Sequence, residues 1–153
     1  GAYIAAMLAL DPQWLRRAGG DVAHICGVAG LAGPYDFLPL QRGAQADRAM
    51  GRFRPLEKTQ PIHFARHDAP PFWLGSGSND DVVNPRNSAA LAAALQEHGA
   101  SAELRIYGGL NHSDVVMALS QPFRSKADIL QDLSDFLHRN AQKDANVESH
   151  VMK

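Results

Sequence analysis

The sequence predicts an α/β fold in which about three parallel strands are flanked by helices. Two observations carry this class. The run Val22 to Leu31 is almost unbroken in apolar and small residues, the mark of a strand covered on both faces. Further on, a short apolar segment at Phe72-Trp73-Leu74, a helical pattern and an alternating segment at Ala102 to Tyr107 follow one another. Strands separated by helices pair in parallel through right-handed crossovers.

Each element has its own signals. Residues 2–10 read as a helix with Tyr3, Ile4, Met7 and Leu8 in one apolar stripe. Asp11-Pro12 opens a short second helix, with Asp11 as N-cap and Pro12 at the first helical position, and Gly19-Gly20 stops it. The strand at 22–31 ends at Gly33-Pro34-Tyr35-Asp36. Residues 40–70 are rich in Gly, Arg and Pro and read as an insertion or lid with a turn or two of helix around Ala44 to Met50. Pro70-Pro71 leads into the second strand. Asn84-Pro85 caps a helix carrying Leu91, Ala94, Leu95 and His98 on one face, and Gly99 terminates it. A short helix is expected at Ser113 to Leu119. Ser125 with Asp128 forms a capping-box pattern. The helix it opens runs to about His138, with Ile129, Leu130, Leu133, Phe136 and Leu137 inward. Residues 1–140 thus make one unit, and the polar residues 141–153 read as a frayed tail.

The chain's 153 residues are of one-domain size, enough to bury roughly two thirds of the unfolded surface. An apolar fraction of 45% and a charged fraction of 20% fit a soluble globular protein. The formal net charge of -1 gives no reason to expect nucleic acid or an anionic membrane surface as partner. Arg42, Arg48, Arg52 and Arg54 read as a solvated loop. Cys26 is the single cysteine, which excludes an intramolecular disulfide and a cysteine-rich zinc site. Its place in an apolar run predicts a small buried side chain. Trp14 and Trp73 read as core. His24, His63, His67, His98 and His138 lack metal-ligand spacing, and the absence of a phosphate-cradling glycine loop argues against a nucleotide-binding α/β domain. No stretch has the length of a membrane-spanning helix, and the cellular compartment is undecided.

In open parallel sheets, sites form beyond the carboxyl ends of the strands. Asp80 falls there in Gly75-Ser76-Gly77-Ser78-Asn79-Asp80-Asp81-Val82-Val83-Asn84-Pro85, and His112 in Tyr107-Gly108-Gly109-Leu110-Asn111-His112. An imidazole that shuttles a proton and a carboxylate that fixes its tautomer are two thirds of a charge-coupled hydrolytic triad. Asp36, at the end of the preceding strand, and Asp81 compete for the acid position, although Asp81 is also suited to capping the next turn. Asp114 reads as a charge favoured at a helix N-terminus. Phe37, Leu38 and Phe53 are candidates to line an acyl pocket. None of Ser76, Ser78, Ser88 and Ser113 stands in a G-x-S-x-G context.

The opening Gly-Ala-Tyr-Ile-Ala-Ala-Met-Leu-Ala-Leu-Asp-Pro-Gln-Trp-Leu resembles the helix that follows the nucleophile elbow of α/β-hydrolases. Gly30 to Phe37, Gly77 to Pro85 and Leu110-Asn111-His112 are similar, in order and spacing, to the strand-six end, acid loop and histidine loop of esterase/lipase-like carboxylesterases related to hormone-sensitive lipase. The resemblance implies a partial α/β-hydrolase fold with strands equivalent to strands 6–8. It implies Asp80 as triad acid, His112 as base, and a serine that would precede Gly1. It implies cleavage of a small carboxylic ester through an acyl-enzyme, without a cofactor. The chain alone is then expected to be inactive. An amidase or formamidase of the same fold and a non-catalytic, hydrolase-derived assembly module are the alternatives. The strand at 22–31 would lack a neighbour, and its open edge invites a second copy or an amino-terminal fragment.

Overall fold

Three strands form one parallel sheet in the order β1-β2-β3 in the computed structural model, which describes residues 1–151, with side chains through residue 142. They are β1 (Val28–Leu31), β2 (Phe72–Gly77) and β3 (Ala102–Tyr107). Phe72 is in register with Val28 and Ala102, and Gly75 with Leu31 and Arg105. The central β2 is buried along its whole length, as expected of a parallel strand covered on both faces.

The helices divide between those faces. On one, α1 (Ala2–Leu10) and α4 (Arg86–Glu97) bring Ala6, Ala9, Leu10, Leu91 and Leu95 against Val28, Phe72 and Leu74. On the other, α5 (His112–Met117) and α6 (Ile129–Val151) pack Val115, Ile129 and Phe136 around Trp73 and Leu110. The smaller α2 (Gln13–Arg17) and α3 (Gln45–Met50) lie outside this core. Tyr35, just past β1, is fully buried and folds back onto that strand. Its hydroxyl occupies the side-chain position of Gly30, where an added Cβ would lie 2.1 Å from the oxygen. That hydroxyl has no hydrogen-bond partner among the described residues.

Several expectations are corrected. The predicted strand at 22–31 is a strand only over Val28–Leu31, because Val22–His24 form a 3-10 turn. The Asp21 carboxylate starts that turn by accepting from the Ala23 amide at 2.9 Å, a local bond that competes with strand pairing. Cys26 is consequently exposed, not buried. The stripe of α1 is Ala6, Met7, Ala9 and Leu10, while Ile4 is 60% exposed; the helix is apolar nearly all round, so its pattern left the inward face undetermined. Trp14 is a partly exposed surface ring with the Arg17 guanidinium 5.3 Å from its centroid. His98 leaves the inward face of α4 and is exposed, its Nδ1 2.8 Å from the Ala94 carbonyl.

Ser125 is not a cap: Gln121–Lys126 form a 3-10 helix and α6 begins at Ile129. Leu130 and Leu137 point outward, leaving Ile129 and Phe136 to bury. The helix continues past His138 to Val151, through the segment expected to fray. Residues 152 and 153 lie outside the described residues.

β1 pairs with β2 alone among the described residues. Its open edge is four residues long.

Candidate active site

The site is assembled where β2 and β3 end side by side. Gly77 closes β2 against the loop after β3, and a Cβ there would lie 2.1 Å from the Leu110 carbonyl oxygen. Only glycine permits that approach. The two loops are joined by Ser78 N donating to Tyr107 O at 2.9 Å, Asn79 N to Leu110 O at 3.0 Å, and Gly109 N to Ser78 Oγ at 2.8 Å. Loops that normally move independently are thereby held as one platform.

Asp80 stands on this platform with its side chain fully buried. Its Oδ1 accepts from the amides of Val82 at 3.0 Å and Val83 at 2.8 Å. Its Oδ2 lies 2.8 Å from His112 Nδ1. When the carboxylate accepts that bond, the proton is fixed on Nδ1 and the Nε2 lone pair is left for chemistry. His112 is the first residue of α5. Asn111 caps that helix, and Asp114 completes a capping box by accepting from the Asn111 amide. The imidazole thus sits on a fixed helix start, about one third exposed. The Lys126 ammonium bonded to Asp114, with the Asn111 amide, holds the Asp114 carboxyl below the usual range.

The rival acids are used differently. Asp81 is exposed; the side chain capping the turn is that of Asp80. Asp36 pairs with Arg86 at 3.6 Å and does not approach His112. His24, His63, His67 and His138 are exposed. No group of three or more His, Cys, Asp or Glu side chains converges on a metal position among the described residues. Arg42, Arg48, Arg52 and Arg54 are all exposed.

Beside the Asp80 loop lies a cavity of about 810 Å³ lined by Tyr3, Phe37, Leu38, Met50, Val82 and Val83 among others. The structure therefore brings Phe37 and Leu38 together with the two valines whose amides hold Asp80. Phe53 is 58% exposed and does not line it. Sequence reasoning missed two buried amides, Asn87 in the cavity lining and Gln60 behind Phe37. Gln60 Oε1 accepts from Phe37 N at 2.8 Å, and Asn87 Oδ1 accepts from Tyr35 N and Asp36 N. A polar residue one turn from Leu91 on the inward face of α4 was the available signal for Asn87.

A model of the prolyl oligopeptidase family matches residues 40–144. A probable isoprenylcysteine alpha-carbonyl methylesterase, ICMEL1, of Oryza sativa subsp. japonica is 27% identical over an alignment covering 92% of this chain and 38% of its own length. The chain thus spans well under half of that relative. Among solved structures, the butyrate-bound thermophilic esterase Est2 of Thermogutta terrifontis superposes with a TM-score of 0.65 at 16% identity, covering 91% of this chain and 53% of the other. The carboxylesterase Cest-2923 of Lactobacillus plantarum WCFS1 superposes with a TM-score of 0.65 at 15% identity, covering 95% and 56%. The three parallel strands and their helices are part of an α/β-hydrolase fold.

Proposed function

Because the chain belongs to the prolyl oligopeptidase family, we propose that it carries the acid and the base of a serine-type carboxylic ester hydrolase. The single observation behind this reading is the 2.8 Å contact between the buried Asp80 carboxylate and His112 Nδ1. In this mechanism His112 Nε2 takes the proton of a serine hydroxyl as its oxygen bonds to the ester carbonyl carbon. The ester C–O bond then breaks, and His112 returns the proton to the departing alcohol. Water, deprotonated by the same nitrogen, releases the acid and regenerates the serine. Asp80 orients the ring throughout and stabilises the imidazolium.

The serine is supplied by a segment outside these 153 residues, pairing as a further parallel strand on the open edge of β1; a second copy of the chain is the other occupant of that edge. Phe37 and Leu38 face the substrate. The name of the rice relative makes a methyl ester the first substrate to try.

The test joins this chain to a serine-bearing amino-terminal segment and assays it with short p-nitrophenyl esters, methyl esters and a fluorophosphonate label. Turnover with labelling of the serine, both lost in His112→Ala, is the expected result. Neither turnover nor label in the completed protein would instead identify a non-catalytic assembly module. The family match itself favours a second reading, cleavage of a peptide or amide bond. A prolyl anilide in the same assay, cleaved faster than the esters, would select it.

A further inference from the structure

Resting on that reading, we infer that Asn87 is a positioning residue that sets the width of the cavity beside Asp80, and that this cavity takes the apolar chain of the ester. The volume of about 810 Å³ is that of a small-molecule pocket, and apolar side chains make up most of its lining surface, with Asp36 and Arg86 among the polar exceptions. One wall is the segment after β1, with Phe37 and Leu38. The other is the segment after Asp80, with Val82 and Val83.

Neither wall belongs to a strand or long helix, so few bonds fix the gap between them. Asn87, 5% exposed on the first turn of α4, supplies three of these. Its Oδ1 accepts from Tyr35 N at 2.9 Å and Asp36 N at 2.8 Å, on the first wall. Its Nδ2 donates to the Asn84 carbonyl at 3.1 Å, on the second. One carboxamide therefore spans both walls, and the second wall is the segment whose amides hold Asp80 Oδ1. Gln60, fully buried, braces Phe37 from the far side. Asn87 contacts neither Asp80 nor His112 through its side-chain bonds, so its effect reaches the chemistry only through the shape of the cavity and its border.

The variant that isolates this role is Asn87→Asp. It keeps an oxygen for the Tyr35 and Asp36 amides, but in place of the donation it sets a second oxygen and a buried negative charge against the Asn84 carbonyl. The probe is cis-parinaric acid, a fluorescent fatty acid, titrated into this chain. Asn87→Asp is expected to weaken binding about tenfold, because the bond that ties the second wall is replaced by repulsion. Ser88→Ala, on the same helix as Asn87, breaks the buried 2.7 Å contact with Ser76 of β2, away from the cavity, and is expected to stay within about twofold of the parent. In the completed enzyme Asn87→Asp should raise KM for long-chain esters with kcat retained. Equal weakening by both substitutions, no weakening by Asn87→Asp, or no binding of the probe by the parent chain would each overturn the inference. If Asn87→Asp alone weakens the probe while the completed protein hydrolyses no ester, the cavity assignment stands and the hydrolase reading falls.

Discussion

Asp36 and Asp80 each follow a parallel strand at the same end of the sheet, yet only one has its carboxylate set against an imidazole. Asp36 follows the edge strand β1, where the chain leaves on the long excursion of residues 40–70. Its side chain is 29% exposed, and its partner Arg86 is more exposed still. Asp80 follows the central strand β2, whose end touches the loop after β3. It is fully buried, accepts two backbone amides on one oxygen and holds His112 on the other. A carboxylate at a strand end can be buried against an imidazole when a neighbouring strand ends beside it and supplies both cover and a partner. The central strand provides that; β1 does not.

The comparison breaks most visibly in activity. In the hydrolase proposed above, joined to a serine-bearing segment, Asp80→Asn should lower kcat by about four orders of magnitude, as when a triad acid no longer selects the imidazole tautomer. Asp36→Asn should leave kcat within about threefold. Ester kinetics on both variants decide it, and similar losses would erase the distinction.

The next effect concerns the platform beneath Asp80. Gly77→Ala drives a methyl group into the Leu110 carbonyl oxygen, 2.1 Å away, and should cost about 2–3 kcal/mol by urea unfolding. Gly108→Ala, in the same pair of loops but with nothing within 4 Å of its Cβ, should stay within about 0.5 kcal/mol.

A smaller effect is read in alkali. Burial raises the Tyr35 hydroxyl above its ordinary value near 10, and burial with the Asp132 bond raises that of Tyr107. A raised folded-state value adds stability that is complete below pH about 10 and is lost as pH climbs through the folded-state values. Absorbance titration should show the buried Tyr35 phenol ionising only as the chain unfolds and the part-buried Tyr107 phenol ionising above its ordinary range, whereas titration of both near pH 10 would contradict this. The smallest effect belongs to the exposed pair: Arg86→Ala should alter stability by less than about 1 kcal/mol, measured by thermal unfolding.

Much of this arrangement was legible before any coordinates. The order of strands and helices identified a parallel sheet, and strand-end position, the spacing across one helix and one strand, and the family resemblance together proposed Asp80 and His112 as neighbours. The choice of Asp80 over Asp81 and Asp36 was harder, because it depends on which carboxylate turns back to the Val82 and Val83 amides. Asn87 and Gln60 stayed hidden because their bonds go to backbone amides more than 20 residues away, which no local pattern encodes. The beginning of the predicted 22–31 strand failed for a related reason. Ala, Gly and Cys are compatible with strand or turn alike, and the Asp21 cap decided locally against pairing. In α6, helical spacing marked a broad apolar face, but the core takes Ile129 and Phe136 with Leu133 packed against them, while Leu130 and Leu137 stay in water.

The contact between Tyr35 and Gly30 ties two positions into one unit of sequence change. Gly30→Ala alone sets a methyl group 2.1 Å from the tyrosine oxygen, but with that oxygen gone the nearest ring carbon is 3.3 Å away. The hydroxyl bonds to nothing among the described residues, so Tyr35→Phe surrenders no hydrogen bond in exchange. The second change should therefore suppress the first: a library screened for folded chains should return Gly30→Ala chiefly in company with Tyr35→Phe, and the double variant should be more stable than Gly30→Ala alone.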